Sequence, residues 1–363
     1  MKPIETLLQF EQYSLEKEAK SRLLLQALDD LTKTHKERCK NYGNIINSLY
    51  SESNKSQSLA DVPYVPVSLF KTTKLQSVKD SEIIKTLTSS GTTSQVVSKI
   101  YLDKQTSVYQ TKVLASIMTS FLGKKRLPMI FIDSDAIIKN RKMFSARGAG
   151  LTGLSIFGRD HFYALNDKME INIDGLIEYI KKYENKEVLI FGFTYMIWQY
   201  FYEELKRKKV DINLENAILI HSGGWKKLQE KSISNEVFKK KLNQLIGIKK
   251  VYAFYGMVEQ VGSVFMECEK GYLHAPNFSD ILIRDFRTWE ILPTNHKGVV
   301  QTLSILPHSY PGHSLLTEDV GVINGIDNCL CGRKGSYFTV EGRIPRAELR
   351  GCSDTHAEEA NSG

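Results

Sequence analysis

The chain has 363 residues, 42% hydrophobic and 25% charged, with a formal net charge of +8. This balance is that of a globular protein with a sizeable core. It excludes disorder, collagen or a coiled coil as a description of the whole. The basic excess is interleaved with acids, as in Glu203–Lys209 (EELKRKK), and reads as ordinary surface rather than a nucleic-acid face.

Residues 1–60 carry a helical pattern, with Leu24, Leu28 and Leu31 on one face. Tyr42-Gly43-Asn44 and the polar run Ser51–Ser58 are expected to break it. Asp61–Phe70 (DVPYVPVSLF) reads as an extended connector, because its two prolines fix φ and withhold amide donors. Strand and helix patterns then alternate. Ile83–Thr88, Leu127–Asp133, Glu187–Phe193, Ala217–His221 and Lys250–Tyr255 are predicted strands. Ser107–Leu122, Asp174–Tyr183, Tyr195–Lys208 and Phe238–Leu245 are predicted helices. Such alternation implies an α/β fold with largely parallel sheets, where ligands bind beyond the carboxyl ends of the strands. The turns 89–93, 222–225 and 255–259 fall at such ends. In the last third, Tyr272–Asp285, Gly298–Leu306 and Tyr337–Val340 are short strand-like pieces among Gly and Pro turns, a smaller β-rich subdomain. The expected organisation is a helical segment (1–60), an α/β nucleotide-binding core (61–265), the β-rich subdomain (266–353) and a flexible tail (354–363).

The longest apolar run without charge, Val188–Tyr202, falls short of the ~20 residues a spanning helix needs. The N-terminus has acids in its first turns and no small-residue cleavage site, so no membrane span is expected and the cytoplasm is the expected compartment. The five cysteines, an odd number with two of them one residue apart, suit metal-binding or reactive thiols better than a disulfide framework.

Three stretches could carry chemistry. Ser89-Ser90-Gly91-Thr92-Thr93 follows a strand and offers hydroxyl and amide donors to a phosphate, though no Gly-Lys-Ser/Thr ends it as in the Walker loop. In Tyr255-Gly256-Met257-Val258-Glu259 a carboxylate just past a strand could hold Mg2+, and the ring could stack on a base. Asp319 could accept two ribose hydroxyls, and Arg343 could pair with ribose or phosphate oxygens. Taken singly, each also reads as a plain turn or a surface residue.

In this order and spacing the three resemble the adenylate-forming superfamily of acyl-CoA synthetases, adenylation domains and luciferases. Val65–Leu75 (VPVSLFKTTKL), Ser222-Gly223-Gly224-Trp225-Lys226 and Arg350-Gly351-Cys352 narrow the resemblance to the LuxE-type acyl-protein synthetases. The resemblance implies the architecture of an adenylate-forming N-terminal domain. It also implies ATP and Mg2+ as cofactors and a fatty acid activated as acyl-AMP. The acyl group then passes to Cys352 and on to an acyl-accepting reductase or carrier protein. Catalytic roles fall on Cys352, Glu259 and Arg343. Nucleotide binding falls on Ser89–Thr93, Gly223, Gly224, Tyr255, Gly256 and Asp319.

The sequence departs from the superfamily where Ser94 stands for the usual glycine and Lys99 is the nearest replacement for the loop lysine. It also ends eleven residues after Cys352, so the mobile C-terminal lid is expected to be absent. The alternatives are a compact acyl- or aryl-CoA ligase of the phenylacetate type, with Cys352 incidental, and a non-catalytic acyl- or nucleotide-binding subunit.

Cys268, His274, Cys329 and Cys331 supply three thiols and an imidazole, a set suited to a closed, structural zinc; separate core thiols are the other reading. The aromatic stripe Phe191, Phe193, Tyr195, Trp198, Phe201 and Tyr202 reads as core, with an acyl pocket as the alternative.

Overall fold

The computed structural model describes residues 3–50, 56–89, 97–139, 146–224 and 233–344. It begins with three helices, α1 (Pro3–Leu7), α2 (Lys17–Arg38) and α3 (Lys40–Leu49). The leucine stripe of α2 is buried as its spacing demands. The expected break at Tyr42-Gly43-Asn44 does not occur. The chain turns earlier, at the extended residue Cys39, and α3 runs straight through Gly43. Glycine is needed there because a Cβ would sit 2.7 Å from the Lys36 carbonyl oxygen of the preceding helix. Buried Lys20 holds α2 in place: it donates to the carbonyls of Ala275 and Ser279 and pairs with buried Asp280 at 3.4 Å.

The connector is extended only through β1 (Val65–Pro66) and then folds into the single turn α4 (Leu69–Thr72). The strand β2 (Ile83–Thr88) pairs only with β3 (Lys99–Asp103), in a hairpin of its own. It is therefore not the first strand of the alternating sheet. After it come α5 (Lys104–Leu122), β4 (Leu127–Phe131), α6 (Ala136–Lys139), α7 (Ala146–Ser155), β5 (Gly158–Tyr163) and α8 (Ile173–Lys182). Next are β6 (Val188–Phe193), α9 (Thr194–Met196), a π-helical segment Ile197–Tyr202, α10 (Glu203–Lys208), β7 (Ala217–Ser222), α11 (Asn235–Ile246) and β8 (Lys250–Tyr255). The remainder is strand: β9 (Phe265–Glu267), β10 (Leu273–His274), β11 (Ser279–Arg284), β12 (Lys297–Ser304), β13 (Ser314–Ile326) and β14 (Ser336–Arg343).

Among the described residues twelve strands form one sheet, in the order β11-β12-β13-β14-β10-β9-β8-β7-β6-β4-β5, with β1 added in parallel to β13. The run β8 to β5 is parallel, and from β9 onward the main ladder is antiparallel. Helices cover both faces of the parallel part, which is why its strands read as continuous apolar runs. Leu189, Phe191, Ile218 and Ile220 face a core shared with α1, α2, α5 and α7. Ile190, Ala217 and Leu219 face α8, α10 and α11. Trp198, Phe201 and Tyr202 are buried in this second core, with the Trp198 and Tyr202 rings stacked at 4.4 Å. Among the described residues no helix is long and apolar enough to cross a membrane.

Candidate active site at the strand ends

The carboxyl ends of β6, β7 and β8 are joined by side-chain hydrogen bonds. Thr194, the first residue past β6, lies 2.9 Å from His221 Nδ1 and donates to the Ser222 carbonyl at 3.3 Å. Ser222 in turn donates to the Phe254 carbonyl at 2.9 Å. A consistent set of donors follows: His221 Nδ1–H to Thr194, Thr194 to Ser222, Ser222 to Phe254. Burial holds His221 neutral, lowering its pKa to about 3, with the Lys239 charge acting the same way. The chain then enters Gly223 at φ +83°, a left-handed conformation that glycine adopts without strain. At Gly224 no atom lies within 4 Å of where a Cβ would stand, so this turn presents bare backbone to open space.

Tyr255 ends β8. Its hydroxyl donates to Asp319 Oδ2 at 2.7 Å. Burial and the Asp319 charge push that phenol well above its ordinary pKa. Asp319 sits opposite Arg343 across the β13–β14 ladder, with Arg343 Nε 3.5 Å from its other carboxylate oxygen. The carboxylate is anchored and largely covered, whereas the arginine side chain is 75% exposed.

Glu259 lies on the single turn Val258–Gln260 and is only 6% exposed. Gln260 fixes the turn by donating to the carbonyls of Gly312 (2.8 Å) and Thr302 (3.3 Å). Burial raises the Glu259 carboxyl above the usual range, while the Ser98 hydroxyl and the charges of Lys71 and Arg343 pull it back. Ser98 is also one side of the neck of the β2–β3 hairpin. Its amide donates to Ser89 Oγ at 2.9 Å and its carbonyl accepts from Ser89 N at 3.2 Å.

Several separate stretches thus converge. Tyr255, Asp319 and Arg343 touch. Glu259 lies within electrostatic reach of Arg343, Ser89 lies beside Ser98, and Gly223-Gly224 ends the strand next to β8, with Gly256 exposed just past Tyr255. Lys99 opens β3 as an exposed residue. Ser90, Gly91, Thr92, Thr93 and Cys352 lie outside the described residues. The sequence reading missed Ser98, Thr194 and His221. The last two carry a signal in hindsight, since polar residues at the ends of apolar strands must find partners when buried.

The second cluster lies beyond β9. The ligand atoms of Cys268, His274, Cys329 and Cys331 are all within 4.8 Å of one another. The sulfurs of Cys268 and Cys329 are 3.9 Å apart, and Cys331 Sγ is 3.4 Å from His274 Nε2. A tetrahedral zinc, with bonds of about 2.3 Å to sulfur and about 2.0 Å to nitrogen, needs edges of roughly 3.8 and 3.5 Å. The residues therefore fit that ion. Lys270 N donates to Cys268 Sγ at 3.4 Å, and Gly332, at φ +84°, closes the turn between Cys329 and Arg333. Burial lowers the His274 pKa to about 4, with the Arg333 and Lys20 charges adding to it, so the imidazole is in the neutral form a metal requires.

The acyl-protein synthetase, LuxE, family matches residues 4–360. The chain belongs to this family. A long-chain-fatty-acid–luciferin-component ligase of Vibrio harveyi is 20% identical to this acyl-protein synthetase family member over 304 residues, covering 82% of the chain and 78% of the relative. The corresponding ligase of Aliivibrio fischeri is 22% identical over 303 residues, covering 80% and 77%. Among solved structures, the open conformation of 2-hydroxyisobutyryl-CoA ligase in complex with 2-HIB-AMP and CoA aligns with a TM-score of 0.70. That alignment has 16% identity over 92% of this chain and 77% of that one. The same ligase in its postadenylation state gives 0.69. At these identities the structural likeness is one of fold, and it assigns this LuxE family member the α/β architecture of adenylate-forming enzymes.

Proposed function

We propose that this protein is an ATP-dependent ligase that activates a long-chain fatty acid as acyl-AMP and moves the acyl group to a thiol. One observation carries the reading: the Tyr255–Asp319–Arg343 contact lies at the open ends of the central strands, with buried Glu259 within electrostatic reach of Arg343. Family membership and the names of the relatives agree with it.

The chemistry suits these residues. A fatty carboxylate oxygen attacks the α-phosphorus of ATP, the bond from that phosphorus to the β-bridging oxygen breaks, and pyrophosphate leaves with the electron pair. Asp319 accepts the ribose hydroxyls, Tyr255-Gly256 and Gly223-Gly224 frame the base, and Arg343 meets ribose or phosphate oxygens. Glu259 would hold Mg2+, whose charge would offset that of the phosphates. Ser89, followed by Ser90, Gly91, Thr92 and Thr93, supplies hydroxyl and amide donors to the triphosphate. The Cys352 thiolate then attacks the acyl carbonyl, AMP leaves, and a thioester forms for transfer to an acceptor protein. Cys268, His274, Cys329 and Cys331 would hold a zinc, which would fix the loops beyond β9 without entering the reaction. A protein working with free thiols suits the cytoplasm.

The test is incubation with ATP, Mg2+ and fatty acids of graded length, followed by hydroxylamine trapping and ATP–pyrophosphate exchange. A hydroxamate and exchange with at least one acid are expected; neither, with any acid, overturns the reading. Intact mass should show a hydroxylamine-labile acyl adduct that Cys352→Ser abolishes. An adduct that survives the change removes Cys352 from the mechanism. CoA-dependent turnover by that variant would instead favour a CoA ligase, the reading to which the fold likeness lends support.

A further inference from the structure

The stretch Val65–Leu75 has no role in the reaction above. In the fold it is a strap. Val65 and Pro66 pair with Leu315 and Leu316 of β13, Val67 N donates to the Leu316 carbonyl at 2.9 Å, and α4 then packs against β3. Phe70, 2% exposed, wedges into an apolar cluster with Leu87 of β2, Tyr310 and the partly buried Met257, Val258 and Val261. It therefore stands between the hairpin that ends at Ser89 and the turn that carries Glu259.

The next residue, Lys71, is partly buried. Among the described residues it has no ion-pair partner, whereas Lys74 of the same strap is paired with Asp80 at 3.0 Å. The charge of Lys71 reaches the Glu259 carboxyl, as does that of Arg343. The charges of two cations thus act on one buried carboxylate, Arg343 from the end of β14 and Lys71 from the strap. Two cations set against one carboxylate leave a net positive charge, and a polyanion seated between the hairpin neck and Glu259 would balance it.

We propose that Lys71 is a catalytic residue of adenylation, its Nζ donating to the phosphate oxygens of ATP. The inference rests on the adenylation reading and deepens it. As the carboxylate bonds to the α-phosphorus and the bond to the β-bridging oxygen breaks, negative charge gathers on the departing pyrophosphate. In this role Lys71 supplies hydrogen-bond donors and charge and transfers no proton. Its three donors on a flexible stem can follow charge that moves between oxygens, which a rigid guanidinium fork does less well.

The experiment compares Lys71→Gln, Lys71→Arg and Lys74→Gln with the unaltered protein. It measures ATP–pyrophosphate exchange, hydroxamate formation and melting temperature. Lys71→Gln is expected to lower kcat for exchange by about 100-fold, the scale of one lost transition-state donor, with a much smaller rise in KM for ATP and unchanged melting. Lys71→Arg recovers part of the rate, and Lys74→Gln matches the unaltered protein. An active unaltered protein with an equally active Lys71→Gln overturns the role of Lys71 alone. So does a loss that tracks melting temperature or appears equally in Lys74→Gln. An unaltered protein inactive with every acid overturns the adenylation reading, and this inference with it.

Discussion

In the Cys268–His274–Cys329–Cys331 cluster each ligand atom faces the other three, all within 4.8 Å, so the donors complete one another around a single point. At the strand ends the side chains form open-ended chains, Thr194 to Ser222 to the next strand and Tyr255 to Asp319 to Arg343, while Gly224 and most of the Arg343 side chain face open space. A closed donor set has no coordination to offer a substrate and can only hold structure. An open set is incomplete until a ligand arrives. On the function proposed above, the contrast is between a stabilising centre and a reactive one on a single sheet, and each side can be broken independently.

The largest effect is expected at the open site. Glu259→Gln should cut adenylate formation by about 10²–10³-fold. Because burial raises this carboxyl, its ionised form is lost as pH falls through a value above the ordinary carboxylate range. The acid limb of kcat/KM should lie correspondingly high and vanish in the Gln variant. A raised carboxyl pKa stabilises the fold only at low pH and is a liability above it, so Glu259→Gln should melt slightly higher at pH 8. A variant that loses activity by melting lower would make Glu259 structural and erase the contrast.

Next comes the closed site. Cys329→Ala should remove zinc from the purified protein and lower the melting temperature by roughly 5–10 °C, while the folded fraction keeps its exchange activity. Unchanged metal content would exclude Cys329 as a required ligand. Activity lost without a change in melting would turn this cluster into a reactive site.

The smallest effect tests what holds the open site in shape. Thr194→Val removes the hydroxyl that ties His221 to the Ser222 carbonyl and should raise KM for ATP about 5- to 10-fold, the worth of one neutral hydrogen bond. Thr194→Ser should restore it. Equal KM values for all three proteins would mean that the Gly223 turn holds its geometry without the linkage.

Much of this was legible in the residues, and the misses have causes. The parallel strands β4, β6 and β7 announce themselves because both faces are buried, so they are apolar throughout or nearly so. The edge strand β5 (GRDHFY) is mostly exposed and has no such run. The thirteen-residue β13 is disguised by Gly321 and Gly325. At Gly321 a Cβ would lie 2.6 Å from the Thr339 carbonyl oxygen, so close strand approach requires the glycine that hides the strand. Gly43 looks like a helix breaker and is instead the residue that lets two helices meet. The strand β2 was legible as a strand, but which partner it takes depends on residues distant in the chain.

By itself the sequence determined the alternating elements and singled out the three cysteines and one histidine that prove to cluster, because periodicity and chemical identity are local properties. Only the tertiary structure decided that Asp319 meets Tyr255 across 64 positions and that Glu259 is buried within reach of the charges of Arg343 and Lys71. Those outcomes depend on strand pairing and on exclusion of water, which arise when separate segments pack together.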